Sequence, residues 1–155
     1  MDLVLLADRP QAIPILAKWY FEEWGHEVHD NSLEKEVSKL EQFLNRDKLP
    51  LSVVAMEGNQ VVGAAQLKFR EMSIYPEKEH WLGAVYVAST HRGKGIAAAI
   101  IQKSLSLANQ HRITDLYLQT EHLDGGLYKR LGWEPIEQIT YEEIEVLVMK
   151  KSLSY

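Results

Sequence analysis

The chain has 155 residues, of which 46% are hydrophobic and 25% are charged, and its formal net charge is −5. A chain of this length can bury about two thirds of its unfolded surface, so we predict one domain over residues 1–155 that folds without covalent cross-links. The sequence has no cysteine, which excludes disulfides, thiolate metal sites and a cysteine nucleophile. We expect no nucleic-acid partner for this acidic chain.

Residues 2–7 predict a first strand. Its apolar run, residues 3–7, is short and is followed at once by Asp8 and Arg9, unlike a signal peptide or a membrane-spanning segment. We therefore expect a cytoplasmic protein without a membrane partner.

Two helices are predicted next. We expect Asp8 to cap a helix that begins near Pro10, and Asn31 with Glu34 three residues later resembles a capping box for the second helix. Apolar side chains follow at helical spacing in both segments: Ile13, Leu16, Ala17, Tyr20 and Trp24, then Leu33, Val37, Leu40 and Leu44.

The connection between these helices contains His26 and His29 beside Glu27 and Asp30. Two histidines three residues apart in a charged loop are usually solvated side chains rather than metal ligands. We therefore expect no metal site.

The rest of the chain predicts alternating strands and helices after a hairpin. Residues 51–69 form two strands with a turn at Gly58 and Asn59, and residues 84–87 form another strand. A helix over 96–111, a strand over 116–120, a helix that contains Tyr128, and strands over 136–141 and 144–149 follow. The predicted order is β-α-α-β-β-β-α-β-α-β-β, a mixed α/β fold.

The glycine-rich stretch of residues 92–97 predicts an anion site. Glycines let backbone N–H groups approach an oxygen-rich ligand, and the helix that follows presents unpaired N–H groups and the positive end of its dipole. No Asp or Glu occurs between Glu79 and Asp115, whereas this interval contains Arg92, Lys94, Lys103 and Arg112. A pyrophosphate is the ligand that this pattern favours.

Three alternatives remain for this loop. A nucleotide-binding P-loop is disfavoured because Gly95, rather than Ser or Thr, follows Lys94. Residues 93–98 formally match the G-x-G-x-x-A pattern of dinucleotide-binding proteins, with Glu121 available for a ribose, but the antiparallel hairpin upstream does not suit that fold. A strand-to-helix turn without a ligand also stays open.

Two motifs resemble one enzyme family. Arg92, Gly95 and Ala97 match the [Gln/Arg]-x-x-Gly-x-[Gly/Ala] signature with which the GCN5-related N-acetyltransferases bind the pyrophosphate of coenzyme A, and residues 127–133 resemble their fourth helix and the turn after it. The resemblance implies a mostly antiparallel sheet that splays between strands 4 and 5 and is flanked by helices. It also implies acetyl-CoA as cosubstrate and direct transfer of its acetyl group.

The resemblance assigns roles to particular residues. The loop residues Arg92, Gly93, Lys94, Gly95, Ile96 and Ala97 would bind the pyrophosphate. The backbone of Val85 and Val87 would pair with the pantetheine arm, and the Val87 N–H would stabilise the oxyanion. Tyr128 would be the general acid at the leaving sulfur, and His80, or its neighbour Glu79, the general base.

The acceptor is expected at the other end of the cleft. In this family the first two helices cover that end, and they bear aromatic side chains at positions 19, 20, 21 and 24. Acidic residues at 22 and 23 and at 142, 143 and 145 could attract a cationic acceptor, and the role of Glu121 is open. We predict an N-acetyltransferase for a primary amine of a small molecule or peptide, and leave a homodimer open as its oligomeric state. A non-catalytic CoA-binding sensor and a dinucleotide-binding protein are the alternatives.

Overall fold

Seven strands form a single sheet in the computed structural model, which describes residues 1–25 and 29–153. The elements in chain order are β1 Asp2–Leu5, α1 Ile13–Glu23, α2 Leu33–Glu41, β2 Leu51–Glu57, β3 Gln60–Phe69, β4 His80–Val87, α3 Ile96–Gln110, β5 Asp115–Thr120, α4 Gly126–Arg130, β6 Glu134–Tyr141 and β7 Ile144–Ser152. This order and the mixed α/β class confirm the prediction. The strands lie in the order β1-β2-β3-β4-β5-β7-β6.

The sheet opens between β4 and β5. These two strands run parallel and pair at one position, Trp81 with Tyr117, whereas the other neighbouring strands in the described part of the chain pair antiparallel over several residues. Beyond Trp81 the edge of β4 that faces β5 has no strand partner among the described residues. The predicted splay between strands 4 and 5 is therefore confirmed, and the antiparallel β1–β4 block differs from the sheet of a dinucleotide-binding fold.

Helices cover both faces of the sheet because its central strands alternate between two cores. Ile100 and Ile101 of α3 pack with Val53 and Leu67 on one face. On the other face the residues of α1 and α2, such as Leu16 and Leu40, pack with Val54 and Ala64. Buried apolar strands with helices on both sides explain why β2 and β3 read as nearly continuous hydrophobic runs.

Gly63 lets α3 lie close to the sheet. A Cβ at this position would lie 2.8 Å from Ile100 Cδ1 and 2.9 Å from the Tyr86 carbonyl oxygen. Both contacts are shorter than any real Cβ contact, so a larger residue there would push the helix away from β3 and β4.

The beginnings of the first elements differ from the prediction. Strand β1 ends at Leu5, and two 3-10 turns precede α1, whose N-cap is Ala12 without a side-chain hydrogen bond. Asp8 therefore caps no helix, and its carboxylate pairs with Arg46 instead. The preference of Asp for an N-cap is therefore outweighed by an ion pair with a residue 38 positions away in the sequence.

The predicted capping box of α2 is also wrong by one residue. The N-cap is Ser32, whose hydroxyl accepts a hydrogen bond of 3.2 Å from the Lys35 N–H. Asn31 instead uses its amide to donate to the Gly25 carbonyl and to the Glu36 carboxylate. Both residue types suit an N-cap, so the choice between them depended on these longer contacts.

A third core cluster joins residues 70–79 to the far side of the sheet. Met72 and Trp81 are buried against Val146 and Val148 of β7. The Tyr141 hydroxyl contacts Ser73 at 3.3 Å, and Tyr75 is hydrogen-bonded to Glu137. The β3–β4 connection is thereby held over the β6–β7 hairpin.

None of the helices in the described ranges combines the length and the apolar character needed to cross a bilayer.

Candidate active site

A cleft of about 1060 Å³ occupies the opening between β4 and β5. One end is bounded by the glycine-rich loop and the first turn of α3, and the other by α1 and α2. The walls consist of β4, the end of β5, α4 and the β6–β7 hairpin. The cleft therefore brings together the predicted anion site, the predicted acid and the segment predicted to bind the acceptor.

The glycine-rich loop turns with two left-handed residues. Gly93 has φ +79° and Gly95, the N-cap of α3, has φ +78°. A Cβ at either position would meet nothing within 4 Å among the residues that the structure describes. Because the first turn of α3 contains no acidic residue, its free N–H groups suit a phosphate.

The edge of β4 offers backbone groups to the cleft. The Ala88 N–H donates to the Val62 carbonyl at 2.9 Å, on the β3 side, so alternation along the strand turns the N–H and C=O of Val87 toward β5. Val85 and Val87 are half-buried, line the cleft and pack on the main core. An extended amide-bearing chain fits beside such an edge as an additional strand would.

Arg92 folds back onto β4. Its Nε donates to the Val87 carbonyl at 3.0 Å, and its guanidinium lies 5.3 Å from the centre of the Tyr86 ring. The side chain therefore braces the loop against the strand, with its positive charge at the mouth of the cleft.

Tyr128 lies on α4 and lines the same cleft. Its ring meets that of Trp133 edge-to-face, with 6.1 Å between ring centres. Burial, and secondly the negative charge of Glu71, raises the pKa of Tyr128 to about 12. The phenol therefore stays protonated at neutral pH and can donate a hydrogen bond into the cleft.

Glu71 is the residue of the cleft that sequence analysis missed. It is mostly buried and its Oε1 lies 2.7 Å from Lys68 Nζ. The pair sits above Gly83 of β4, where a Cβ would come within 2.6 Å of Lys68 Cε and 2.8 Å of Glu71 Oε1. No local motif marks Glu71, because its place depends on the β3–β4 connection folding back and on the bare backbone of Gly83.

His80 is the general base that the sequence predicts. It is the first residue of β4, pairs with Phe69, and places Nε2 3.1 Å from Glu79 Oε1. Glu79 also pairs with Arg70. His80 and Glu79 are absent from the cleft lining, so the role of either as general base stays a prediction.

Aromatic and acidic side chains form the end of the cleft next to α1 and α2, here called the acceptor end. Tyr20, Trp24 and Phe43 line it together with Glu23 and Glu36. Trp24 and Tyr20 also pack on Tyr86 of β4. The lining cations at this end are Lys39 and Lys68, each beside a carboxylate, Glu36 at 3.6 Å and Glu71 at 2.7 Å.

The remaining sequence candidates divide into two groups. Glu121 and Glu142 line the cleft, whereas Glu22 lies outside its lining. His26 lies outside the described residues, so the pair that it forms with His29 in the sequence has no structural account. Within the ranges 1–25 and 29–153, no three His, Asp or Glu side chains converge as metal ligands would.

The family comparison agrees with this geometry. The model of the Acetyltransferase (GNAT) family matches residues 11–133 of the chain. Among curated proteins, N-acetyltransferase 8F1 of Rattus norvegicus is 37% identical over 89 residues. That alignment covers 55% of this chain and 40% of the rat protein, so less than half of the relative's length is represented.

Solved structures share the whole fold. An aminoglycoside 6'-N-acetyltransferase complexed with coenzyme A superposes with a TM-score of 0.76 at 16% identity, covering 98% of this chain and 97% of that one. The ribosomal-protein-alanine N-acetyltransferase of Brucella melitensis gives 0.74 at 24% identity, covering 99% and 100%. At these low identities, the superpositions show a common fold and no more.

Proposed function

Because the chain belongs to the GNAT family of acetyltransferases, we propose that it transfers the acetyl group of acetyl-CoA directly to a primary amine, of a cationic small molecule or a peptide. The observation that supports this most is the convergence of the glycine-rich loop, the free edge of β4, Tyr128 and Glu71 on one cleft. No metal is part of the proposal.

Main-chain groups of the cleft support the binding of CoA. The open faces of Gly93 and Gly95, the first turn of α3 and the nearby Lys94 suit the pyrophosphate of CoA. Val85 and Val87 offer main-chain groups to the amides of its pantetheine arm. These are the features that a cleft for CoA requires, and they favour it over a dinucleotide.

The chemistry needs a proton acceptor for the amine and a donor for the leaving sulfur. The thioester supplies an activated acetyl group. The reacting amine attacks in its neutral form, after its ammonium proton has gone to solvent. As the new C–N bond forms and the C–S bond breaks, Glu71 takes one further proton from the acceptor nitrogen and the electron pair leaves on sulfur as a thiolate. The Tyr128 hydroxyl donates a hydrogen bond to that sulfur, and the Val87 N–H donates to the carbonyl oxygen as its negative charge grows.

The pKa of Tyr128 favours one of two forms of acid catalysis. A phenol with a pKa of about 12 holds its proton more tightly than a thiol, whose pKa is about 8.5. Tyr128 therefore stabilises the thiolate by hydrogen bonding rather than by complete proton transfer, and the proton released by the amine leaves through Glu71.

The acceptor is inferred from the cleft of this chain. Its acceptor end has carboxylates at Glu23, Glu36 and Glu71 against the ammonium groups of Lys39 and Lys68, beside aromatic rings that favour cations. The whole chain is also acidic, with a formal charge of −5. A positively charged amine suits this end better than an acidic one.

The test combines binding with turnover. Acetyl-CoA or CoA at saturation should raise the melting temperature by several degrees and NAD(P) should not. A panel of amines should then release free thiol from acetyl-CoA. Stabilisation without turnover on any amine would favour the non-catalytic CoA sensor, and no stabilisation at millimolar CoA would refute the proposal.

A further inference from the structure

Strand β4 contains a bulge in the wall of the cleft. Ala64 pairs with Tyr86 and Gln66 with Gly83, so two residues of β4, Ala84 and Val85, face the single residue between them on β3. Ala84 has φ +51°, a left-handed conformation that a residue with a Cβ seldom adopts and that surrounding structure must maintain.

Tyr20 of α1 supplies that support. Its hydroxyl donates a hydrogen bond of 2.9 Å to the Ala84 carbonyl, and its side chain is 4% exposed. The ring packs against Trp24 and Tyr86, with ring centres 5.7 Å and 6.4 Å away. Burial, and secondly the negative charge of Glu36, raises the pKa of Tyr20 well above its ordinary value, so the hydroxyl remains a donor.

The bond has a directional consequence for the cleft. In a trans peptide the C=O and the N–H point in opposite directions. A carbonyl of Ala84 that is fixed toward Tyr20 therefore fixes the N–H of Val85 toward the opposite side. Val85 belongs to the bulge and Val87 follows it. Both line the cleft, and the direction of their N–H groups depends on where the bulge ends.

We propose that Tyr20 is a positioning residue for acetyl transfer: its hydroxyl holds the Ala84 carbonyl in the bulge and thereby aims the N–H groups of Val85 and Val87 at the thioester. This inference rests on the proposed function. It makes the first helix a part of the catalytic geometry, although none of its atoms takes part in the transfer.

Tyr20→Phe tests the hydroxyl while the ring and its packing remain. We expect kcat to fall about tenfold to a hundredfold, because donors displaced by a fraction of an ångström no longer match the developing charge. KM for acetyl-CoA should change less than about threefold, since the glycine-rich loop that supplies most of the pyrophosphate contacts is untouched. Tyr117→Phe, a half-buried tyrosine outside the cleft lining, is the matched control and should retain wild-type kcat.

A second substitution distinguishes a positioning role of the Tyr20 hydroxyl from a packing role. Glycine adopts φ +51° without the penalty of a Cβ, so Ala84→Gly in the Tyr20→Phe background should restore most of the lost kcat. Wild-type kcat in Tyr20→Phe, or a loss that Ala84→Gly leaves unchanged, would overturn the inference.

Backbone amide spectra keep the test independent of turnover. In ¹H–¹⁵N spectra of ¹⁵N-labelled protein, the amides of residues 84–87 should shift in Tyr20→Phe and return toward wild type in the double variant. If the wild-type chain acetylates no amine, the proposed function fails and these spectra still decide whether Tyr20 holds the bulge. Unshifted amides of residues 84–87 in Tyr20→Phe would refute the role of Tyr20 in holding the bulge.

Discussion

Glu71 acts on Tyr128 through its charge. The negative charge of Glu71 contributes to the raised pKa of the phenol, so the phenol keeps its proton beside a group that can accept one. This is the arrangement that a proton acceptor and a hydrogen-bond donor need in one reaction. Lys68, 2.7 Å from the carboxylate, fixes its position.

Tyr128→Phe removes the hydroxyl and keeps the ring that packs on Trp133. We expect kcat to fall on the order of a hundredfold, whereas folding and the melting-temperature gain with CoA should change little. Because the pKa of Tyr128 lies near 12, this group loses its proton only near that pH. It should therefore impose no alkaline limb on the wild-type kcat profile below about pH 10. Near-full turnover in the variant would make Tyr128 a packing residue.

Glu71→Gln tests the base without a change of shape. The amide keeps the volume of the side chain but cannot accept the amine proton, so kcat should fall by about a hundredfold or more at neutral pH. His80→Gln is the comparison, since His80 is the base that the sequence predicted. A greater loss in His80→Gln than in Glu71→Gln would reverse the assignment.

Gly83→Ala tests whether the position of the Glu71 carboxylate matters for catalysis. The added Cβ would meet the ends of two flexible side chains, Lys68 Cε at 2.6 Å and Glu71 Oε1 at 2.8 Å, and these can move aside at small cost in stability. We expect a melting temperature within a few degrees of wild type and a kcat lowered about tenfold or more, since Glu71 is displaced. Unchanged kcat would show that the position of Glu71 does not matter.

At the scale of elements, the start of α3 shows how a loop becomes a binding site. Gly95→Asp would impose a Cβ at φ +78° and a negative charge at the N-terminus of the helix. CoA should then raise the melting temperature much less than it does in wild type, because the charge opposes the pyrophosphate. Thermal shift against CoA concentration measures this. Lys103→Asp, which changes the charge farther along the same helix, is the control, and equal loss in both would indicate a general charge effect.

The elements that the sequence predicted correctly are those whose structure is determined by the residues nearest in sequence. The glycine-rich loop, the hairpin at Gly58 and the helix of Tyr128 each follow from spacing and turn residues. The caps of α1 and α2 did not, because Asp8 pairs with Arg46, 38 residues away, and Asn31 donates to Gly25 and Glu36 while Ser32 caps α2. Glu71 and the Ala84 bulge were out of reach for the same reason, since both depend on neighbours from other elements.

Gly63→Ala tests the packing of α3 on the sheet. One neighbour of the added Cβ is backbone, the Tyr86 carbonyl oxygen at 2.9 Å, so the strain cannot be relieved by a side chain alone. We expect a loss of about 1–3 kcal/mol of unfolding free energy, measured by urea denaturation. Gly58→Ala adds backbone strain at φ +58° but its Cβ meets no described atom within 4 Å, so it should cost less, and the reverse order would contradict this account of the helix–sheet contact.

At the scale of the whole molecule, charge is divided between the two ends of the cleft. The interval between Glu79 and Asp115 contains no acidic residue, while the chain as a whole has a formal charge of −5. The anionic cosubstrate and a cationic acceptor would thus approach through fields of opposite sign. The acceptor end owes its negative charge to side chains from α1, α2 and the β3–β4 connection.

This division predicts the salt dependence of acceptor choice. For amines of matched size, kcat/KM should favour a cationic over an acidic acceptor by about tenfold or more at low ionic strength, and the ratio should shrink as salt is raised to about 0.5 M because the Debye length falls below 5 Å. Glu23→Gln, within the cleft lining, should reduce the preference, whereas Glu22→Gln, the adjacent residue outside that lining, should not. The measurement is thiol release at several salt concentrations. A best acceptor with net negative charge, or a preference that salt leaves unchanged, would show that contacts other than these carboxylates select the amine.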